Sequence, residues 1–348
     1  MSMMTLQSPL QPSPPAPAPP EPHRMTCMEI WGGCDPADAA VSVPGLDAWV
    51  YSRPYQDNQP AQSEPTTAES EGGGDVYYVS SCATGRINRL LVADVSGHGP
   101  AVRHIAVSLR DLMRRYVNYL DQSRFVLSMN KQFTDSANSG AFATAVVTTF
   151  FAPTRTLSVC NAGHPPPLFW RAATREWSLL ERSHEGQRVA NIPLGIMDLE
   201  ECSEFDVNLD VGDLVLVYTD SLSEARNPSG KMLGLDGIVA SVIASTDPTK
   251  PQTVIPDLLR AIDAQTQGGL RADDVTALLL RATGTGDTIP LAQRLLAPFR
   301  VLKSACRSLI RWEPAPLPDA SLPNVGGAVL PILNRLWKRG SRVTHPKK

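Results

Sequence analysis

Several acidic residues adjoin apolar runs typical of buried β-strands. Asp75 follows three glycines, and Asp94 ends the run LLVA. Asp220 ends the run LVLVYT, and the pair Asp273 and Asp274 precedes VTALLL. An apolar strand holds its terminal residue at the edge of the core, where a lone carboxylate is costly. These positions therefore require a partner of opposite charge if they lie close together.

A divalent cation is the partner that suits several converging carboxylates. Mg²⁺ and Mn²⁺ take oxygen ligands and retain bound waters. Two such ions a few ångströms apart can orient and deprotonate a water for attack on phosphorus. Any one of these aspartates also suits a turn or a helix cap, and Asp213 in DVGD is predicted to form a turn. The joint pattern, rather than a single residue, indicates metal-dependent phosphate chemistry.

The elements that would position these residues follow the order strands, helices, strands, helices, strand. Predicted hairpins cover residues 75–95, 141–163 and 203–220, the last with its turn at residues 211–213. Apolar residues recur at helical spacing over residues 101–120, and further helices are predicted near residues 124–136, 235–246 and 254–265, before a final strand at 273–282. This order differs from strict βαβ alternation and favours antiparallel sheets covered by helices.

Composition divides the chain of 348 residues into three parts. Residues 1–25 are rich in proline and are predicted to form a disordered tail. Residues 26–284 are predicted to form the folded domain, with a mobile polar loop at 57–74. Residues 285–348 are predicted to form a basic amphipathic tail.

Charge separates the last of these parts from the rest of the chain. Residues 287–348 hold eleven Lys or Arg and three Asp or Glu, a net charge of +8, which leaves −11 for the remainder. The segment LAQRLLAPFRVLKSACRSLIRW mixes apolar and basic residues, so it is predicted to contact an anionic membrane surface or an acidic partner. A helix packed on the domain with a solvated basic face is the alternative.

The sequence does not indicate a disulfide-rich, zinc-binding, secreted or membrane-spanning protein. Six cysteines without a CxxC pair argue against a disulfide scaffold or a structural zinc site. The first residues lack a signal-peptide pattern, and no apolar run reaches the length of a membrane span. We therefore expect a cytoplasmic location, either free or peripheral to the inner face of the membrane, and no nucleic-acid partner.

A set of motifs in fixed order resembles the SpoIIE-type serine/threonine phosphatases of the metal-dependent PPM (protein phosphatase 2C-like) superfamily. The resemblance covers roughly residues 45–282. It rests on GGGDVYYV, LLVADVSGHG, AFATAVV, CNAGHPPPLFW, LDVGDLVLVYTDSLSEARN and RADDVTALLLR. It implies an α+β fold, an αββα sandwich of two antiparallel sheets flanked by helices. It also implies a site for two Mn²⁺ or Mg²⁺ ions at one end.

Roles for single residues follow from the resemblance. Asp94 would bridge both ions, and the Val95 carbonyl would provide a further oxygen. Asp75 would hold one ion, and Asp220 and Asp273 would hold the other. A water activated by the metals would attack the phosphorus of phosphoserine or phosphothreonine, without a covalent phosphoenzyme.

The turn after Asp94 adds a candidate proton donor. Gly97 and Gly99 permit a tight turn, and Ser96 can cap the helix that follows. His98 could protonate the leaving alkoxide as a general acid, or it could form structural hydrogen bonds within the turn. The sequence leaves both roles open for this histidine.

Two further segments that carry the resemblance are predicted to stabilise the fold rather than to take part in catalysis. His164, in the loop NAGHPPP, is expected to bond backbone groups. Thr144, in FATA, is expected to be a packed strand residue. Two positions depart from the family pattern: Tyr78 replaces the second Asp of GGDFYD, and Ser221 replaces the Gly of TDG. Ser221 would strain its turn if that position needed a positive φ.

The leading functional prediction is a protein phosphatase whose substrate is a phosphorylated regulatory protein, such as an anti-sigma-factor antagonist. One alternative is a catalytically weak pseudophosphatase that binds a phosphoprotein as a regulator. Another keeps the metals and changes the substrate to a small phosphoester. The four intact acidic positions favour an active enzyme.

Overall fold

The computed structural model describes ten segments of the chain, residues 22–55, 73–82, 84–96, 100–116, 121–136, 142–181, 183–184, 187–188, 192–266 and 268–284. The predictions for the proline-rich residues 1–21, for His98 and for the basic tail 285–348 lie outside these segments.

Two large sheets form the centre of the domain. In spatial order, the seven-stranded sheet contains β1 (His23–Arg24), β3 (Ala37–Val43), β4 (Leu46–Arg53), β15 (Val275–Ala282), β14 (Leu214–Tyr218), β9 (Leu168–Arg171) and β10 (Glu176–Leu179). The six-stranded sheet contains β13 (Glu204–Asn208), β8 (Thr156–Ala162), β7 (Ala143–Phe151), β6 (Ile87–Val95), β5 (Asp75–Ser81) and β2 (Ile30–Gly33). A separate short pair contains β11 (Ser183–His184) and β12 (Gln187–Arg188). Neighbouring strands in both large sheets are antiparallel except β1 and β3.

Helices cover the outer face of each sheet. The six-stranded sheet shares a buried apolar cluster with α1 (Pro100–Arg115) and α2 (Gln122–Ser136). The seven-stranded sheet shares another with α3 (Ser221–Glu224), α4 (Gly234–Ser245) and α5 (Pro251–Thr266). A third cluster lies between the two sheets. This αββα sandwich confirms the predicted fold class, and no helix in the described segments is both long and apolar enough to cross a membrane.

Strands β5 and β6 show how the layers place the acidic residues. Tyr77 and Val92 belong to the cluster between the sheets, whereas Val76 and Ala93 belong to the cluster under α1 and α2. Since successive side chains alternate between faces, Asp75 lies on the inter-sheet side together with Tyr77. Burial on both faces explains why these strands read as nearly continuous apolar runs.

The predicted hairpin at residues 203–220 is wrong. Its first strand, β13, pairs with β8 of the six-stranded sheet, and its second, β14, pairs with β15 and β9 of the other sheet. The turn itself is confirmed: Asp213 is fully buried, and its carboxylate accepts the N–H groups of Asp210 at 2.9 Å and Ala172 at 2.8 Å. The turn therefore carries the chain from one sheet to the other.

Residues at the edges of two predicted segments belong to the described structure. In the tail predicted over 1–25, β1 pairs with β3 and Met25 is buried between the sheets, with 6% of its surface exposed. In the loop predicted over 57–74, Gly74 donates its N–H to the Asp274 carboxylate and Gly73 lies against the same carboxylate. Residues 1–21 and 57–72 lie outside the described segments, so both boundaries stay predictions.

A buried arginine joins both outer helices to the six-stranded sheet. Arg89, on β6, is only 1% exposed, and its Nε donates to Thr149 Oγ1 at 3.1 Å. Its Nη1 donates to the Tyr116 carbonyl after α1 at 3.0 Å, and its guanidinium lies 4.3 Å from the ring centroid of Phe125 on α2. Burial lowers the pKa of Arg89 to about 10, so the side chain remains charged at neutral pH.

Candidate metal centre

The structure brings the four predicted acidic positions to one end of the sandwich. Asp75 and Asp94 are directly opposite each other on β5 and β6. Asp220 lies two residues beyond the end of β14, and Asp273 lies two residues before the start of β15, which pairs with β14. The Thr219 N–H donates to the Thr276 carbonyl at 3.0 Å and extends that pairing. Each sheet thus contributes two carboxylates.

A buried threonine joins the two halves of the centre. Thr219 Oγ1, after β14, donates to Asp75 Oδ2 at 2.9 Å across the sheets. The same hydroxyl accepts the Thr276 N–H at 3.0 Å, which fixes its orientation. The Asp75 carboxylate is closer to this hydroxyl than the alternative acceptor, the Thr276 carbonyl at 3.3 Å, so Thr219 restrains the position of that carboxylate. No sequence pattern marks this threonine beyond its place directly before Asp220.

Asp274 makes the second connection between the sheets. Its Oδ2 accepts the Gly74 N–H at 2.5 Å, and its Oδ1 accepts the Tyr55 N–H at 2.6 Å. A Cβ atom added to Gly73 would overlap the Asp274 carboxylate, which explains the glycine at this position. Since both Asp274 oxygens accept backbone N–H groups, Asp273 is the better ligand candidate of the pair.

The pKa values show that these carboxylates repel one another. Burial, followed by the charge of Asp94, raises the pKa of Asp75 well above its usual range. Burial, followed by the charges of Asp220 and Asp273, raises the pKa of Asp94 to about 6. Burial and then Glu224 raise the pKa of Asp220. Glu224 was not among the predicted acidic positions of the centre. It lies one helical turn after Asp220 on α3.

The donor set fits a hard divalent cation. The candidate ligands are carboxylate oxygens, as Mg²⁺ and Mn²⁺ prefer, and a cation would relieve their mutual repulsion. The Asp94 carboxylate accepts no hydrogen bond from a described residue, so its oxygens remain available. Within the described segments, no three Asp, Glu, His or Cys side chains converge closely enough to form a preassembled metal group.

The turn between β6 and α1 is only partly described. Val95 ends β6 and donates its N–H to the Gly74 carbonyl at 3.1 Å. Ser96 is bonded to Phe142: its Oγ accepts the Phe142 N–H at 2.9 Å, and its N–H donates to the Phe142 carbonyl at 2.9 Å. The hydroxyl therefore holds the residue before β7, and its role as a helix cap stays a prediction because residues 97–99 lie outside the described segments. His98 lies outside the described segments, and its role stays a prediction.

Neither departure from the family pattern disturbs the acidic positions directly. Tyr78 is buried on the α1 side of β5, and its hydroxyl donates to the Ala106 carbonyl at 2.6 Å. It therefore points away from the inter-sheet face that carries Asp75. Ser221 begins α3 and is not among the described residues with positive φ, so the expected strain is absent.

The NAGH loop supports the centre from β8. The Asn161 side chain bonds both backbone groups of His164 at 2.8 Å, and Gly163 takes a φ of +72°. The His164 ring was predicted to bond backbone, and it makes a hydrogen bond to the Tyr218 backbone; its Nδ1 also lies 2.8 Å from Thr144 Oγ1. Thr144 is directly opposite Asp94 in the β6–β7 pairing, so it is more than a packed strand residue.

Comparison with known proteins gives a consistent result. The family model described as Stage II sporulation protein E (SpoIIE) matches residues 85–283, more than half of the chain. The phosphoserine phosphatase RsbU of Bacillus subtilis is 20% identical over 195 residues, which are 55% of this chain and 55% of that protein. The chain thus spans about half the length of this curated relative.

Solved structures share the fold at low sequence identity. The RsbU and RsbW domains of a Mycobacterium tuberculosis protein align with a TM-score of 0.53 and 24% identity, over 76% of this chain and 69% of that one. The PP2C phosphatase domain of Bacillus subtilis SpoIIE, solved with a fragment of its regulatory domain, aligns with a TM-score of 0.50 and 14% identity, over 68% of this chain and 79% of that one. These structures share the αββα fold, and the family match over more than half of the chain shows that the chain belongs to the SpoIIE family.

Proposed function

We propose that this protein is a metal-dependent protein phosphatase that hydrolyses phosphoserine or phosphothreonine on a regulatory protein. The observation that carries the proposal is the convergence of Asp75 and Asp94 from one sheet with Asp220 and Asp273 from the other. The RsbU and SpoIIE relatives support the class of reaction. The name of the RsbU relative, a phosphoserine phosphatase, supports phosphoserine as the group removed; the proposed substrate is a phosphorylated regulatory protein, such as an anti-sigma-factor antagonist.

The four carboxylates have different proposed roles because their surroundings differ. Asp94 is repelled by acidic residues of the opposite sheet and would hold both ions, with the Val95 carbonyl as a further oxygen. Asp75 would hold one ion, and Asp220 and Asp273 would hold the other. When bound, two Mn²⁺ or Mg²⁺ ions would supply the polarisation that activates water for attack on phosphorus.

The remaining residues of the centre act by positioning and by excluding water. Thr219 fixes Asp75 through its hydroxyl, and Asp274 fixes the backbone at Gly74. The inter-sheet core beneath Asp75 keeps that carboxylate 96% buried. A buried and oriented carboxylate needs little rearrangement when a cation binds. His98 is the proposed proton donor to the leaving alkoxide.

The direct test is phosphate release from synthetic phosphoserine and phosphothreonine peptides by the purified chain. We expect turnover with Mn²⁺ or Mg²⁺ and none after EDTA treatment, with recovery when the metal is restored. Turnover that persists after chelation would contradict the metal-dependent mechanism. Peptide binding without turnover in saturating metal would support the pseudophosphatase alternative instead.

Replacing Thr219 with Val should weaken Mn²⁺ binding by about 10-fold or more, because a lost hydrogen bond to a ligand carboxylate typically costs 10–100-fold in metal affinity. Val keeps the branched shape of the side chain and removes the donor to Asp75. Thr219→Ser keeps the donor and should bind Mn²⁺ with nearly normal affinity. Isothermal titration calorimetry on metal-stripped protein measures both. Equal affinities for the Val and Ser variants would show that the Thr219–Asp75 bond is not used.

A further inference from the structure

Four exposed apolar side chains lie beside the candidate metal centre. Phe142 is 44% exposed, Ile192 40%, Ile196 54% and Met197 50%; together they are called the apolar rim. Single exposed hydrophobic residues are ordinary on protein surfaces, whereas several grouped beside a catalytic centre indicate an interaction site. The rim is not used by any step of the proposed hydrolysis.

Backbone pairing places the rim next to the acidic residues. Ala143 and Leu194 exchange two backbone hydrogen bonds, of 3.0 and 2.8 Å, which join the two segments that carry the rim. Phe142 is bonded to Ser96, two residues after Asp94. At about 3.3 Å per residue, the rim begins about 7 Å along the sheet from Asp94. A peptide with its phosphate at the centre would therefore reach the rim with a neighbouring residue.

The backbone of the rim is fixed while its side chains face outward. Asn130, on α2, is 2% exposed; its Oδ1 accepts the Gly195 N–H at 3.0 Å, and its Nδ2 donates to the Met197 carbonyl at 2.9 Å. Leu194 is fully buried and anchors the same segment. The exposed positions of Ile196 and Met197 thus belong to an anchored loop, which is the arrangement expected of a preformed contact surface.

Acidic residues around the rim favour a partner segment that carries basic residues. Asp198, Glu200 and Glu201 follow Met197 and are exposed. Asp94 is directly opposite Thr144, two residues from Phe142 of the rim. An acidic surround repels acidic segments and favours basic ones.

We propose that the apolar rim is the docking surface for the phosphoprotein substrate. It would bind a segment with an apolar side chain next to the phosphorylated residue and a basic residue beyond it. Ile196, Met197 and Phe142 would contact the apolar side chain, and the acidic residues after Met197 would contact the basic one. This inference rests on the proposed function and adds a preference that the metal centre alone does not provide.

The test compares three synthetic phosphoserine peptides that differ at two positions. The first carries Leu beside the phosphoserine and Arg further along; the second replaces Leu with Ser, and the third replaces Arg with Glu. We expect the first to exceed each of the others by about 10-fold in kcat/KM, which corresponds to about 1.4 kcal/mol. Fluorescence anisotropy of the labelled peptides measures the same preference as binding affinity.

Matched substitutions locate that preference on the rim. Ile196→Asp and Met197→Asp should reduce the ratio between the Leu and Ser peptides to about 1, because a charge replaces the apolar contact. Ile243→Asp is the control: Ile243 is 59% exposed on α4, on the outer face of the other sheet, and its substitution should leave the ratio unchanged. Circular dichroism and thermal unfolding check that the variants fold.

The outcomes separate this inference from the proposed function. Turnover of all three peptides at equal rates, or an unchanged ratio in both rim variants, would overturn the docking surface and leave the phosphatase intact. A preference in binding without turnover would overturn the phosphatase and retain the docking surface. Dimerisation that Ile196→Asp abolishes, without any peptide preference, would assign the rim to a second copy of the chain and overturn the proposal.

Discussion

Asp94→Asn should reduce metal-dependent turnover of a phosphoserine peptide by about 10³-fold, the loss that corresponds to about 4 kcal/mol of transition-state stabilisation. Asp94 lies opposite Asp75 and is repelled by Asp220 and Asp273 of the other sheet. In the proposed assignment it would therefore be the carboxylate shared by both ions. Phosphate release at saturating Mn²⁺ measures the effect, with Asp38→Asn, an exposed change on β3, as the control.

Thermal unfolding gives a second measurement that does not depend on turnover. Since Asp94→Asn removes one of several repelling charges, the metal-free variant should have a higher Tm than the metal-free parent. Mn²⁺ should raise the Tm of the parent by binding the folded state and should have much less effect on the variant. A variant that keeps both its turnover and its Mn²⁺-dependent rise in Tm would overturn the assignment of Asp94.

Arg89→Ala should lower the free energy of unfolding by about 3 kcal/mol or more, since buried hydrogen bonds and packing are lost together. The substitution leaves Thr149 Oγ1 and the Tyr116 carbonyl without their arginine donor and removes the contact with Phe125. Urea denaturation of metal-free protein measures this change.

The control for Arg89 is an arginine of the same type on the surface. Arg260 has a side chain that is 75% exposed and pairs with Asp257 one turn earlier on α5. Arg260→Ala should change the free energy of unfolding by no more than about 0.5 kcal/mol, because exposed ion pairs contribute little. Similar losses for the two variants would show that Arg89 does not join the helices to the sheet.

Much of the centre could be predicted because strand ends and acidic residues coincide. Asp75, Asp94 and Asp220 adjoin apolar runs, and such runs end where the core ends. The sheet to which each strand belongs could not be predicted, as β13 and β14 show. The turn at Gly212 and Asp213 has the composition of a hairpin turn, but pairing with distant strands decides where each strand lies.

The hydrogen-bond partners of single polar residues within apolar segments could not be predicted either. Thr219 follows an apolar strand, where a β-branched residue is common for packing alone. Arg89 could equally be read from the sequence as an exposed arginine. Their importance comes from partners 144 and 60 residues away in sequence, Asp75 and Thr149. Ser96 likewise has a described partner 46 residues away, Phe142 directly before β7. Local patterns identify such residues as polar and do not reveal their partners.

The division of the candidate metal centre between two sheets makes cation affinity a property of the whole sandwich. A cation held by Asp94 and Asp220 would gain binding energy only while the two sheets stay in register, so metal binding and sheet-to-sheet adhesion would be thermodynamically linked. A cavity made far away in the shared core, for example at Phe150 near the opposite end of β7, would then weaken cation binding without touching a ligand. In the other direction, metal loading would slow amide hydrogen exchange in both sheets at once.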